Sequence, residues 1–190
     1  MSAPIPIPTE FQHELRFRPT QDRRTDDEIV QSLTTHVPVT SEKNIWCYWH
    51  AGILAMPSWC QCNVINWVRI NGANGWIVRV LDSVADSPNN ALSYLEKDML
   101  PESFVKGSMD GPYVGPHSSD FLRGACLYLY GGVYQDVGNI AVRDLDKVCW
   151  RRLEDPESPF QVAVPWMYGT TMANHFVASR KGDPFMCVDP

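Results

Sequence analysis

Asp120 and Arg123 lie three residues apart in a stretch whose apolar residues, Phe121, Leu122, Ala125, Cys126 and Leu129, have helical spacing. Both side chains therefore project from one helix face. Ser118 or Ser119 is expected to cap that helix, which puts Asp120 in its first turn, near the positive end of the helix dipole. A carboxylate that accepts and a guanidinium that donates can together grip a polyhydroxyl ligand. Spacing alone favours the simpler outcome, a local i,i+3 ion pair worth roughly 0.2–0.5 kcal/mol.

The residues that follow shift the balance. Leu127-Tyr128-Leu129-Tyr130-Gly131-Gly132-Val133-Tyr134-Gln135-Asp136 ends the helix on two glycines and turns at once into a strand whose end holds Asp136. Ligands of open α/β sheets gather at the carboxyl ends of strands. An aspartate there can bind a hard cation through oxygen and let it bridge phosphates; otherwise it is a turn residue capping the next loop.

Other chemistries find less support. His50, His117 and His175 have no metal-cluster spacing and are expected on the surface or in loops. The six cysteines, Cys47, Cys60, Cys62, Cys126, Cys149 and Cys187, include no Cys-x-x-Cys pair and read as free thiols, most of them buried. Ser118 lacks a Gly-x-Ser-x-Gly elbow, and neither a P-loop nor a dinucleotide glycine motif is present. Trp46, Trp59, Trp67 and Trp76 are expected in the core or a groove, and Glu154-Asp155 in an exposed turn.

The elements that must position these groups alternate. Ile45–Trp49 and Trp76–Leu81 read as strands, with a helix between them from Ser58, its N-cap, to Ile70. A helix over 90–100, a loop over 107–115, the helix ending at Gly131 and a strand over 133–136 follow. The pattern then gives a resumed strand at 140–142, a helix over 144–153, and strands at 160–164 and 175–179. Alternation of this kind predicts an α/β layered sheet. Residues 1–42 are expected to form an extended arm, because prolines at 4, 6, 8 and 19 block regular helix, and residues 43–190 to form the domain.

A chain of 190 residues with 44% hydrophobic and 20% charged residues supports one folded core and argues against disorder. The net charge of -6 gives no general attraction to nucleic acid or anionic lipid. No run reaches the roughly 20 apolar residues of a membrane span. The start, MSAPIPIPTE, lacks a signal core. A cytoplasmic location is expected for the chain as written, with a Golgi-type anchor outside this sequence as the alternative.

From Asn44 to Phe185 the sequence resembles the sugar transferases of glycosyltransferase family 32, in particular the capsular-polysaccharide-synthesis-like branch found in fungi. The resemblance rests on Ile45-Trp46-Cys47-Tyr48-Trp49, Ser119-Asp120-x-x-Arg123, the 127–136 segment and Asn174-x-Phe176-x-Ala178-Ser179. It implies a GT-A-like α/β/α sandwich with a mixed, mostly parallel sheet, incomplete at its C-terminus because family members continue further. It also implies a nucleotide sugar (UDP- or GDP-linked) as donor, a glycan, lipid or small-molecule acceptor, Mn²⁺ or Mg²⁺, and transfer with retention. By the same resemblance Trp49 stacks on the nucleobase, Asp120 and Arg123 hold the donor sugar or its ribose, and Tyr134 lies beside the diphosphate. Asp136 opens the family's Asp-x-Asp motif, as catalytic residue and metal ligand. Here that motif reads Asp136-Val137-Gly138, so the second carboxylate is missing. The alternatives are a catalytically impaired relative that binds donor or partner, and a generic α/β interaction domain.

Overall fold

The computed structural model describes residues 8–13 and 21–187. Pro4, Pro6, Pro19 and the terminal Asp189-Pro190 lie outside the described residues.

The arm is the first expectation to be corrected. Thr25 and Glu28 form a reciprocal capping box that starts helix α1 (Asp26–Ser32). Its Ile29 is fully buried, and Val30 and Leu33 join the same core. The charge run over 22–28 hid an amphipathic turn whose apolar residues come only at its end. After it, the carbonyls of Val37 and Pro38 accept from the buried guanidinium of Arg79, so this stretch is fastened to the sheet.

Strand β1 (Asn44–Tyr48) is buried at all five positions, as a central strand of a two-sided sheet must be. Helix α2 (Ser58–Asn71) follows, and strand β2 (Ile77–Leu81) pairs parallel to β1. Ser58 is the first helical residue; Pro57 precedes it and no side chain caps the end. The helix expected over 90–100 is two separate 3₁₀ turns, Ala91–Ser93 and Lys97–Met99. The amide of Ala91 donates to Asp82 O, which ties that segment to the end of β2, and Glu96 is extended, which breaks the helical run.

Short helix α3 (Glu102–Val105) and long helix α4 (Val114–Tyr130) come next. Helix α4 starts before the serines. Pro116 fits its first turn, where no intrahelical N–H is needed. Asp120 therefore sits in the second turn, beyond the reach of the dipole argument made from sequence. Strand β3 (Gly132–Gln135) pairs parallel to β1 on the side opposite β2.

Residues 140–142 are not a strand: side chains of α2 hold this stretch, Asn66 donating to Ala141 O and Trp67 Nε1 to the preceding Asn139 O. The 144–153 segment is helical, as a π-turn over Asp146–Trp150 continued by α5 (Arg151–Leu153). Strand β4 (Val162–Ala163), a small hairpin of β5 (Trp166–Met167) and β6 (Thr171–Met172), and strand β7 (Phe176–Ser179) follow, and a 3₁₀ turn over Pro184–Met186 is the last element among the described residues.

The main sheet has the order β2-β1-β3-β7-β4, with β7 antiparallel to both neighbours. Four of its five strands thus run one way, giving the mixed, mostly parallel α/β sheet expected. Side chains alternate across it. Ile45, Cys47 and Val133 face α2 and Trp150, whereas Trp46, Tyr48 and Tyr134 face α4. Connections from β1 go first to β2 on one side and then return to β3 on the other. The carboxyl ends of β1 and β3 therefore form a topological switch point, where open sheets leave a crevice.

Candidate active site

The two glycines before β3 are needed for close approach. Gly132 has φ +108°, and a Cβ there would stand 2.4 Å from Asn44 O. At Gly131, φ +69°, a Cβ would meet Lys181 N at 2.8 Å and Glu42 Oε2 at 2.9 Å. This bend brings α4 directly against β1 and fixes the relation of Arg123, on the helix, to Asp136, just past the strand. Trp46 Nε1 donates to Gly131 O at 3.0 Å and locks the bend from inside.

At the switch point lies a cleft of ≈ 520 Å³. Trp49, Asp120, Arg123 and Asp136, four of the side chains singled out from sequence, line it together. Arg123 is its organising group. Its Nη1 donates to Asp120 Oδ1 at 2.7 Å and its Nη2 to Asp136 Oδ1 at 3.4 Å, so one guanidinium spans both carboxylates. The arginine side chain is only 10% exposed, whereas those of Asp120 and Asp136 are 47% and 45% exposed. The carboxylates thus face the cleft while the cation stands behind them. Among the described residues, buried Nε of Arg123 has no hydrogen-bond partner.

Tyr134 departs from its expected place. One residue before Gln135 it points to the α4 face, fully buried, with its ring 5.1 Å beneath the Arg123 guanidinium. Its hydroxyl and that of Ser119 are 2.9 Å apart. It supports the arginine from below and does not line the cleft, because strand alternation sends it inward. Burial pushes its phenol well above the ordinary range.

Asp136 is held at the rim by backbone, its amide donating to His175 O at 2.9 Å. Burial pushes its carboxyl above the usual aspartate value; Arg123 and His175 oppose that rise and Asp120 adds to it. Burial thus works against the charged form of Asp136, and the neighbouring guanidinium works for it.

Sequence reasoning missed Asn174 and His175. Because β7 runs antiparallel to β3, with Phe176 opposite Gln135, the residues just before it arrive beside Asp136. Asn174 Nδ2 donates to Asp120 Oδ1 at 3.1 Å. The resemblance had marked this segment, but spacing alone could not join residues 54 apart. Ser119, which carries the resemblance beside Asp120 and is offered by spacing as a cap, lines the cleft. His50 lines the cleft, and His117 is exposed on α4, on the surface as expected.

The described residues contain no cluster of three or more His, Cys, Asp or Glu side chains placed to hold a metal. Asp136 fits as a single protein ligand. Gly138 leaves room: a Cβ there would make only ordinary contact, 4.0 Å from Trp59, and its φ is not left-handed. Trp59 itself is 62% exposed beside this position. All six cysteines are free, with Cys62 and Cys187 exposed and the rest buried. No helix among the described residues is long and apolar enough to cross a membrane.

Residues 57–153 match the family described as "Glycosyltransferase sugar-binding region containing DXD motif". The chain belongs to this family, a match that covers half of it and ends beyond the Asp136 bend. It is 52% identical over 180 residues to the "Probable glycosyltransferase FCK3" of Fusarium pseudograminearum, covering 95% of this chain and 45% of that protein. To the O-glycosyltransferase braB of Annulohypoxylon truncatum it is 44% identical over 90% of this chain and 42% of the relative. The chain therefore spans less than half the length of these curated relatives. Among solved structures, the PaToxG Glycosyltransferase overlays on 85% of this chain and 63% of its own at 19% identity, with a TM-score of 0.48, a likeness too loose to assign any feature.

Proposed function

We propose that this chain carries the donor half of a sugar transferase of GT-A-like architecture: a nucleotide sugar, UDP- or GDP-linked, binds in the switch-point cleft, and its sugar passes to an acceptor hydroxyl. The observation that carries this reading is Arg123 held behind two half-exposed carboxylates at the carboxyl ends of β1 and β3. Names of relatives support it: they are glycosyltransferases, and two are named as O-glycosyltransferases, which fits oxygen as the acceptor atom.

In this reading Trp49 stacks on the base, while Asp120 and Arg123 bind sugar or ribose hydroxyls, one accepting and the other donating. Asn174 keeps Asp120 turned toward them, and Tyr134 keeps Arg123 in place from beneath. In the transfer, the bond from sugar C1 to the diphosphate oxygen breaks and its electron pair leaves on phosphate. The acceptor oxygen bonds to C1, and its proton passes to the departing phosphate or to water. Retention at C1 is carried over from the family resemblance.

Two carboxylates around one guanidinium leave the site with a formal charge of minus one, which would repel a diphosphate. Asp136 is the residue that would hold Mn²⁺ or Mg²⁺, a cation that offsets the charge gathering on the leaving group. The chain's own contribution is to fix the donor against Arg123 and to exclude water along Trp49, Pro112 and the first turn of α4.

A panel of UDP- and GDP-sugars, each with and without Mn²⁺, tests this reading by thermal shift. At least one donor should raise the Tm of the wild type, because a ligand that binds only the native state must stabilise it. A panel with no shift in any member would refute it.

A further inference from the structure

A second cavity, of ≈ 490 Å³, opens on the other face of β3's end, backed by the 139–148 segment and the end of β4. Its walls include Ile140, Val142, Val148 and Phe176, and its main polar wall groups are Gln135, Asn139, Arg143 and His175. Residues 135 and 136 are neighbours on alternating faces, so the strand end that sends Asp136 to the donor cleft sends Gln135 into the wall of this cavity. Gln135 is 3% exposed, and among the described residues its Nε2 has no hydrogen-bond partner. An amide left so in an apolar wall is costly, and a ligand oxygen in reach of it would recover the loss. Ile140 and Val142, at the cavity's mouth, are 74% and 85% exposed, an apolar rim that water does not favour.

His175 ties the wall of this cavity to the rim of the donor cleft: it lines the cavity, and its carbonyl receives the Asp136 amide at 2.9 Å and Asn139 Nδ2 at 2.7 Å. We infer that this cavity seats the apolar body of an oxygen-bearing acceptor, with the Gln135 amide donating to a ligand oxygen; as an acceptor seat it rests on the transferase reading above. A glycan acceptor, hydroxyl-covered on every side, would strand its polar groups against these walls.

The test uses the full chain and cyclooctanol as probe, with methyl glucoside as the polar control, followed by saturation-transfer NMR. Cyclooctanol should bind and methyl glucoside should not compete. Val148→Trp, which fills the cavity from its rim, should abolish binding. Gln135→Leu, close in volume, should weaken it about tenfold, the size expected for one lost hydrogen bond of this kind. With Mn²⁺ added, the probe's carbinol proton should broaden, and Asp136→Asn should remove that broadening. Absence of cyclooctanol binding, its survival in Val148→Trp, undiminished affinity in Gln135→Leu, displacement by methyl glucoside, or no Mn²⁺ broadening would each overturn the assignment. The nucleotide-sugar thermal shift of wild type and both cavity variants is read in parallel. If it is missing in the wild type the transferase reading has failed; if it persists while cyclooctanol does not bind, only the second cavity has.

Discussion

Gly132, at the start of β3, and Asp136, just past its end, lie four residues apart and follow opposite rules. At its start, Gly132 touches the backbone of Asn44, and Glu42 accepts from Arg180 Nε at 2.8 Å, Arg180 Nη2 at 2.9 Å and the Lys181 amide at 2.9 Å. Polar groups there are paired and space is filled. At its end, Asp136 stands half-exposed with a raised carboxyl pKa, and the buried Gln135 and Arg123 each keep a nitrogen without a partner among the described residues. One end is arranged for packing; the other leaves polar groups unpaired, as the donor site proposed above would require. That division explains why a motif of glycines and an aspartate is read as a unit: the glycines fix where the aspartate emerges.

The contrast breaks most severely at Gly132. Gly132→Ala places a methyl group 2.4 Å from Asn44 O in a conformation that L residues rarely adopt, so a loss of more than about 4 kcal/mol is expected. Urea denaturation should show this variant largely unfolded. At the other end, Asp136→Ala should lower sugar transfer or donor hydrolysis by about a hundredfold or more, on the order of 3 kcal/mol of lost preorganised interaction, while the Tm stays close to wild type.

Stability against pH separates the ends further. Because the folded-state pKa of Asp136 lies above its unfolded value, its ionisation opposes folding, so stability falls as pH rises between the two. Asp136→Asn should therefore melt at or above the wild-type temperature at pH 7, and this advantage should vanish below the ordinary aspartate value of 3.8. Glu42 behaves in the opposite sense. Its hydrogen bonds with Arg180 hold its carboxyl below 4.5, so its contribution is full above that value and is lost as pH falls through the folded pKa. Glu42→Gln should cost about 1–3 kcal/mol at pH 7 and nothing once both forms are protonated, as read by thermal melts across pH. The smallest effect on folding is expected from Gly138→Asp, which restores the second carboxylate in open space. Its Tm should stay within a degree or two of wild type, and Mn²⁺ affinity, measured by calorimetry, should rise.

Much of the framework of the candidate site was legible in local sequence. A buried five-residue strand, a helix stopped by two glycines and an aspartate three residues past the second glycine's neighbour are short-range features, and α2, α4, β1 and β3 follow from them. Tyr134 was misplaced because its motif position says that it matters without saying which side of the strand it occupies. Asn174 and His175 depend on the antiparallel return of β7, a long-range pairing with no trace in spacing. Helix α1 was hidden by its charged first turn, although Thr25-x-x-Glu28 is a capping signature that could have revealed it. The 90–100 segment shows tertiary structure overriding periodicity: its Leu92, Leu95, Met99 pattern is helical, but Ala91 is held by the end of β2.

The central claim is that a diphosphate, with its charge offset by a cation, rests at the end of β3. A crystal structure of the chain soaked with the stabilising nucleotide sugar and Mn²⁺ tests it most directly. The account predicts Mn²⁺ on an Asp136 oxygen, diphosphate against it, and donor hydroxyls bonded to Asp120 and Arg123. A donor bound elsewhere, or an Asp136 that keeps only Arg123 while the metal and diphosphate sit apart from it, would contradict it.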